Sequence, residues 1–254
     1  MANVLVYGAL LFAMHYIRCY VLLFLSEGKL ILIKIKTMIN ITNECNMKLM
    51  ARYEDNHFDL AIVDPPYGIG FGAFNRTNKA SDGTRIKADK YKNSDWDDGI
   101  PNEDYFKELF RVSKNQIIWG GNYFPFIWNY GGKGFIYWHK GNPVPNFADG
   151  ELAWTSFNKV AKQFDYRYYG NLEGNTSASE KHHPTQKPIQ LYEWLLDNYA
   201  EKGNKILDTH LGSGSIALAC HNRNFELTAC ELDTDYYKSA LKRLKIHQQQ
   251  LTMF

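Results

Sequence analysis

The chain has 254 residues with 29 basic and 27 acidic side chains, so its formal net charge is only +2. This balance excludes a protein that binds polyanions through its overall charge, and any nucleic-acid site must rest on local charge. Hydrophobic residues make up 45% of the chain, which suits one globular domain with at most an added segment. The aromatic content of 15% can serve core packing or the stacking of bases.

The cysteine pattern excludes zinc-finger and thioredoxin-type sites, because no two cysteines have CxxC spacing. We expect reduced thiols in a cytosolic protein. The pair His182 and His183 has no carboxylate or cysteine partner at ligand spacing, so the sequence predicts no metal site. The four cysteines are Cys19, Cys45, Cys220 and Cys230. None of them directly follows a proline.

The N-terminal segment is strongly apolar between Val4 and Leu25, where Arg18 is the only charged residue. Its length would span a bilayer, but it lacks the basic start and cleavage site of a secretory signal. A membrane anchor, a buried or swapped helix, and upstream sequence read from too early a start are the three interpretations. We favour the early start, because Met38 opens a plausible first strand. Residues 1–37 are therefore treated as an extension and residues 38–254 as one domain.

A short strand is predicted from Phe58 to Val63, because this run is mostly apolar and ends in turn residues. Pro65 and Pro66 cannot continue a sheet ladder, since each lacks an N–H. The strand end therefore presents the carboxylate of Asp64, free carbonyls and the ring of Tyr67. Ligands bind at such strand ends in open α/β sheets. The alternative is a structural Pro-Pro turn without function.

A basic loop follows from Gly72 to Asn93 and is predicted to lie beside this strand end. It is either a solvated charged loop or a segment that contacts nucleic-acid phosphates. Two acidic residues oppose six basic ones: Arg76, Lys79, Arg85, Lys87, Lys90 and Lys92.

Helical and strand patterns follow along the chain. We predict a short amphipathic helix within residues 43–53, a helix capped by Asn102, strands at residues 116–119 and 134–138, and a helix after Pro188. Residues from about 120 to 180 have no clear periodicity. They are interpreted as an insertion that reads a substrate, with sheet edge and loops as the alternative.

The C-terminal part has a βαβ pattern. A strand from Lys205 to Asp208 leads into a glycine turn at residues 212–214 and a helix that runs to Arg223. A second strand ends at Glu231, and a last helix covers residues 234–250. Glycines let a backbone approach a ligand, and a distal acid can accept both ribose hydroxyls. The pattern predicts an α/β fold with a Rossmann-like, doubly wound and mostly parallel sheet.

Three motifs stand in a fixed order: Asp-Pro-Pro-Tyr at residues 64–67, His-Pro-Thr-Gln-Lys-Pro at residues 183–188, and Asp-x-x-x-Gly-Ser-Gly at residues 208–214. Together they resemble the S-adenosylmethionine-dependent DNA amino-methyltransferases, narrowly the permuted (beta) group of the DPPY type. The resemblance covers roughly Met38 to Leu244. It implies a class I methyltransferase domain in a circularly permuted motif order, with a target-recognition insertion at about residues 120–180.

The resemblance assigns a role to each matching residue. Asp64 and the Pro65 carbonyl would hold the target amine, with Pro66 completing the turn and Tyr67 stacking on a flipped base. The chain departs from the family where His210 stands in place of a frequent phenylalanine of the cofactor pocket. S-adenosylmethionine would be bound by His183, Thr185, Lys187, Asp208, Gly212, Ser213, Gly214 and Glu231. DNA contacts are expected from Arg76, Lys79, Arg85 and Lys87.

The implied reaction is methyl transfer to the exocyclic N6 amine of adenine in double-stranded DNA. A leading aspartate in the motif favours adenine within this family, and cytosine N4 is the alternative. Methylation of RNA or of a protein glutamine stays open because related motifs serve both, although glutamine enzymes normally have the cofactor motif first. A DNA-binding relative without catalysis and a membrane-anchored protein are hypotheses of other classes. The family also leaves a homodimer and a cognate restriction nuclease open as partners. We expect a bacterial or phage-encoded protein of the cytoplasm, unless residues 4–25 anchor it in a membrane.

Overall fold

The computed structural model describes residues 20–24, 30–34, 38–69, 99–141, 148–167 and 185–250. In the N-terminal extension, strands β1 (Tyr20–Phe24) and β2 (Leu30–Lys34) pair in antiparallel register. No helix in these described ranges is long and apolar enough to cross a membrane.

An eight-stranded sheet forms the centre of the described domain, in the order β3-β10-β9-β4-β5-β7-β6-β8. Five of its seven pairings are parallel, and only β7 runs antiparallel, between β5 and β6. The strands are β3 (Ile39–Asn43), β4 (Leu60–Val63), β5 (Gln116–Trp119), β6 (Phe135–His139), β7 (Gly150–Thr155), β8 (Lys162–Asp165), β9 (Lys205–Asp208) and β10 (Glu226–Glu231).

The central strands are apolar on both faces because helices cover both sides of the sheet. In β4, Leu60 and Ile62 belong to one buried cluster, whereas Ala61 and Val63 belong to the other. Helices α1 (Asn46–Met50) and α2 (Glu103–Val112) pack on the sheet face of Ala61 and Val63. The opposite face, that of Leu60 and Ile62, is covered by α3 (Ile189–Tyr199), α4 (Ser215–Arg223) and α5 (Thr234–Gln250).

The sheet changes winding direction between β9 and β4. The segment after β9 leads outward through α4 to β10, whereas the segment after β4 leads the other way through α2 to β5. The two strands themselves pair in parallel, with Leu60 opposite Ile206 and Ala61 opposite Leu207. The carboxyl ends of β4 and β9 therefore meet at a topological switch point, where open α/β sheets bind ligands.

The predicted fold class is confirmed, and several elements match their predicted bounds: β5, β9, α4 and α5. Asn102 caps α2 as expected, because its side chain accepts a hydrogen bond from the Tyr105 N–H at 3.0 Å. Two predictions were too long: the strand before Asp64 begins at Leu60, and α1 covers only Asn46–Met50. Within the region treated as an insertion, β6, β7 and β8 extend the main sheet. Its role in target recognition stays a prediction.

Candidate active site

Asp64 follows the last residue of β4, and Asp208 is the last residue of β9. Because these strands are parallel neighbours, the Asp-Pro-Pro-Tyr motif and the glycine turn come to the same edge of the sheet. Two segments more than 140 positions apart in sequence thus form one site. The Pro65 carbonyl accepts no backbone hydrogen bond from the part of the chain that the structure describes.

The Asp64 carboxylate has an internal partner on each oxygen. The Tyr67 hydroxyl donates to Oδ1 at 2.6 Å, and the Lys187 ammonium donates to Oδ2. Lys187 Nζ also lies 3.3 Å from the Tyr67 hydroxyl oxygen. A carboxylate oxygen has two lone pairs, so Asp64 keeps acceptor capacity for a substrate. Its two internal partners fix the orientation of the carboxylate.

Lys187 is a buried cation, with only 2% of its side chain exposed. Its second anionic partner is Glu151 of β7, whose Oε2 lies 3.0 Å from Nζ. Burial by itself would lower the pKa of Lys187, but the charges of Asp64 and Glu151 outweigh it and raise the pKa. Lys187 is therefore charged at neutral pH. The Ser215 hydroxyl donates a hydrogen bond to the Lys187 backbone carbonyl at 2.7 Å. This bond connects Lys187 to the first turn of α4.

The ring of Tyr67 lies against a tight turn after β5. Gly120 has a left-handed φ of +69°, and a Cβ added there would lie 2.1 Å from Tyr67 Cε1. In the adjoining 3₁₀ turn, Gly121–Tyr123, the Tyr123 ring stacks on Tyr67 with a centroid distance of 4.8 Å and an angle of 11°. Gly120 is thus required both for its backbone conformation and for the position of Tyr67.

If Tyr67 stacks on the target base, as the family resemblance implies, Gly120→Ala should lower methyl transfer at least about tenfold, because the added methyl group must displace the Tyr67 ring. Steady-state transfer of labelled methyl to DNA measures this loss. Gly99→Ala is the matched control, since a Cβ at Gly99 would meet no atom within 4 Å. Equal activity of the two variants would show that the position of Tyr67 has no effect on the reaction.

The glycine turn at residues 212–214 after β9, called the cradle below, has a left-handed backbone at two positions that favours glycine. Gly212 and Gly214 have φ values of +53° and +75°, and a Cβ at Gly214 would lie 3.0 Å from the Ala240 Cβ. The Glu231 carboxylate accepts the Gly212 N–H at 2.8 Å and the Asp233 N–H at 2.9 Å. These bonds hold the acid beside the turn, and burial raises its pKa.

Asp208 is a buried acid at the base of this cradle, with 2% of its surface exposed. Burial raises the pKa of its carboxyl to about 8. The Asp208 carboxylate accepts a hydrogen bond from the His210 N–H at 2.9 Å. Among the described residues, no cation forms a salt bridge with Asp208. A cationic ligand would favour the ionised carboxylate and pair with it. The α-amino group and the sulfonium of S-adenosylmethionine carry such charges, so these residues fit that cofactor.

His210 lies in a polar cluster behind the same turn. Its Nε2 is 3.1 Å from Asn46 Nδ2, and its Nδ1 is 3.0 Å from the Thr209 hydroxyl. Tyr105 contacts the ring edge-on, with a centroid distance of 5.2 Å. Burial lowers the pKa of His210 to about 3, so the ring is neutral at physiological pH. A neutral flat ring can replace the phenylalanine that is frequent at this position in the family.

The structure brings Asp64, Tyr67, Lys187, Asp208 and Glu231 to one edge of the sheet. The Lys187 ammonium lies on Asp64, the residue predicted to hold the target amine, although the resemblance implied a place in a loop over the cofactor. The roles of all these residues stay predictions. The positions of His183 and of the four basic DNA-contact candidates, Arg76, Lys79, Arg85 and Lys87, lie outside the described residues.

Sequence reasoning missed Glu151, Lys140, Gly120 and Tyr123. Glu151 and Lys140 carry charges within a stretch interpreted as irregular, and no motif marks either of them. The Gly-Gly-Asn-Tyr segment at residues 120–123 directly follows a predicted strand. Its glycine pair was the one available signal of a close backbone approach.

Comparison with known proteins gives a family match and curated relatives. Residues 154–242 match the N6_N4_Mtase family, described as DNA methylase. The Type II methyltransferase M2.DpnII of Streptococcus pneumoniae is 23% identical over 254 aligned positions, which cover 84% of this chain and 92% of the relative.

Two solved structures share the fold. The M1.HpyAVI–SAM complex has a TM-score of 0.54 at 20% identity and covers 82% of this chain and 99% of its own. The cytosine-N4-specific PvuII DNA methyltransferase also has a TM-score of 0.54, at 12% identity, and covers 85% and 93% of the two chains.

The fold is that of the class I S-adenosylmethionine-dependent methyltransferases. Within this class, the chain is similar to the N6/N4 DNA methylases, whose family model matches residues 154–242. Enzymes of this family take the methyl group from S-adenosylmethionine, which confirms the predicted cofactor at the level of the family. Both adenine and cytosine enzymes occur among its relatives.

Proposed function

We propose that this protein is a site-specific DNA methyltransferase that methylates the exocyclic N6 amine of adenine in double-stranded DNA. The observation that supports this best is the meeting of Asp64 with the turn after Asp208 at the switch point of the sheet. This arrangement puts an amine acceptor beside a cradle suited to a cationic cofactor.

The chemistry requires a better nucleophile than a free base provides, because the lone pair of an aromatic amine is delocalised into the ring. The two N–H groups of the amine would donate to the Asp64 carboxylate and to the uncommitted Pro65 carbonyl. These bonds favour a tetrahedral nitrogen with a localised lone pair. Methyl transfer then depends on positioning and on electrostatic stabilisation of the cationic nitrogen, and Asp64 supplies that stabilisation until a proton leaves.

The target base must leave the DNA stack, because its amine cannot be reached within the duplex. Tyr67 offers a ring for stacking, and such stacking contributes about 1–3 kcal/mol per base. Tyr67 already lies within hydrogen-bonding distance of Asp64, so the stacking surface and the amine acceptor belong to one rigid unit. The basic residues 76, 79, 85 and 87 are proposed to contact the DNA phosphates.

S-adenosylmethionine, when bound, supplies an electrophilic methyl group on a sulfonium. Asp208 is proposed to neutralise its cationic amino group, while the glycine turn gives backbone space and Glu231 accepts the ribose hydroxyls. Gly212 N–H and Asp233 N–H occupy one lone pair on each Glu231 oxygen, so both oxygens retain one for a hydroxyl. Ser213 completes the turn, and His183 and Thr185 are proposed to close over the cofactor.

Adenine is preferred to cytosine because the motif begins with aspartate. The fold likeness to a cytosine-N4-specific enzyme makes N4-methylcytosine the specific competing product. The purified chain should transfer methyl from labelled S-adenosylmethionine to unmethylated bacterial DNA. After digestion to nucleosides, mass spectrometry should find N6-methyladenine. N4-methylcytosine would reject the adenine assignment, and methyl transfer to neither base would reject the proposed activity.

A further inference from the structure

Four charged side chains form a row of successive ion pairs that begins at the candidate amine site. Asp64 pairs with Lys187, Lys187 pairs with Glu151 at 3.0 Å, and Glu151 pairs with Lys140 through its other oxygen. Lys140 directly follows β6, and Glu151 lies on β7. The signs alternate along this set of four residues, so it is neutral as a whole.

Glu151 is well placed to control the charge that Lys187 presents to Asp64. Lys187 is almost completely buried, so solvent cannot share its charge. The attraction between a buried cation and a single carboxylate is strong at low dielectric. Without Glu151, the described anion in salt-bridge contact with Lys187 would be Asp64 alone. The carboxylate that must accept the amine would then neutralise the lysine instead.

The antiparallel strand explains how Glu151 reaches this place. Strand β7 pairs with both β5 and β6, with Ala153 opposite Trp119 and Glu151 opposite Trp138. Lys187 Nζ lies 5.3 Å from the Trp119 ring centroid, so the ammonium sits over the end of β5. Burial would raise the pKa of Glu151, but the charges of Lys187 and Lys140 hold it well below its usual value. Glu151 is therefore an anion throughout the neutral range.

We propose that Glu151 is a positioning residue for methyl transfer: it holds and neutralises Lys187, so that Asp64 retains its charge and its free lone pairs for the target amine. This inference rests on the proposed function. In this role Glu151 acts through Lys187 and not by direct contact with the amine or the cofactor. Its removal should therefore affect the chemical step and leave cofactor binding unchanged.

The test is a double-mutant cycle on the full chain with Glu151→Gln, Lys187→Gln and the double variant. We expect Glu151→Gln to lower kcat about 10- to 100-fold and to leave the KM for S-adenosylmethionine within about twofold. In the Lys187→Gln background, the second substitution should cause no further loss, because Glu151 acts only through that lysine. Glu108→Gln is the control for loss of a glutamate salt bridge, since Glu108 pairs with Arg111 at 2.8 Å within α2.

Glu151→Asp provides a second variant, which keeps the negative charge on a side chain that is one methylene shorter. Its kcat should lie between those of the wild type and Glu151→Gln. Multiplicative losses in the cycle, a wild-type kcat for Glu151→Gln, or a raised KM for the cofactor with unchanged kcat would each overturn the role of Glu151. A wild-type chain that methylates no DNA would instead overturn the proposed function, and this inference with it.

Discussion

Replacement of Asp64 by alanine is expected to lower methyl transfer to DNA by about 10²–10³-fold or more, because the amine loses its charged acceptor at the moment when positive charge develops on nitrogen. Binding of S-adenosylmethionine should remain close to that of the wild type, since the cofactor cradle lies after β9 and not after β4. Single-turnover methyl transfer and calorimetric titration of the cofactor measure the two quantities separately.

Two further variants control this experiment. Asp64→Asn keeps an oxygen acceptor of the same shape without the charge, so its loss of activity should be smaller than that of Asp64→Ala. Asp55→Ala removes a carboxylate that is 73% exposed and pairs with Arg111, and it should transfer methyl at the wild-type rate. An Asp64→Ala enzyme with wild-type activity would remove Asp64 from the reaction.

Replacement of Asp208 by asparagine should stabilise the cofactor-free protein above about pH 6 and weaken cofactor binding at the same time. The pKa of Asp208 is raised to about 8 in the folded chain, whereas an unfolded aspartate titrates near 3.9. Between these values the folded state retains a proton that the unfolded state releases, so stability falls as the pH rises. The slope from this group is at most about 1.4 kcal/mol per pH unit.

Asparagine does not titrate and can still accept the His210 N–H, so the variant should lose that slope. Urea unfolding at pH 5, 6, 7 and 8 measures it, with exposed Asp149→Asn as the control. S-adenosylmethionine should bind the variant about 10- to 100-fold more weakly, because asparagine cannot form the charge-assisted hydrogen bond that the aspartate carboxylate forms. If the free energy of unfolding changed with pH equally in the wild type and the variant, and both bound the cofactor equally well, Asp208 would have neither the raised pKa nor the proposed role in cofactor binding.

The elements best predicted from the sequence are those whose pattern is local. Strand β9 ends at an acid before a glycine turn, and α4 begins directly after the second glycine, so neighbouring residues determine both boundaries. Strands β7 and β8 lack such signals. The outer strand β8 is polar (Lys-Gln-Phe-Asp) and lies at the edge of the sheet, where alternation of apolar residues is not required.

The same distinction applies to the candidate site. Asp64, Asp208 and Glu231 stand at strand ends, and a motif marks each position, so the sequence pointed to them. Glu151 comes to Lys187 only because β7 inserts antiparallel between β5 and β6. That pairing joins residues far apart along the chain and leaves no local pattern. The Tyr67–Tyr123 stack likewise depends on the packing of β4 beside β5.

The most direct measurement is sequencing, with modified-base detection, of DNA from cells that express this protein, compared with cells that express Asp64→Ala. We expect N6-methyladenine at one defined sequence motif in the first sample and none at that motif in the second. Absence of any modified base, with a folded protein that binds S-adenosylmethionine, would contradict the proposed DNA methyltransferase activity.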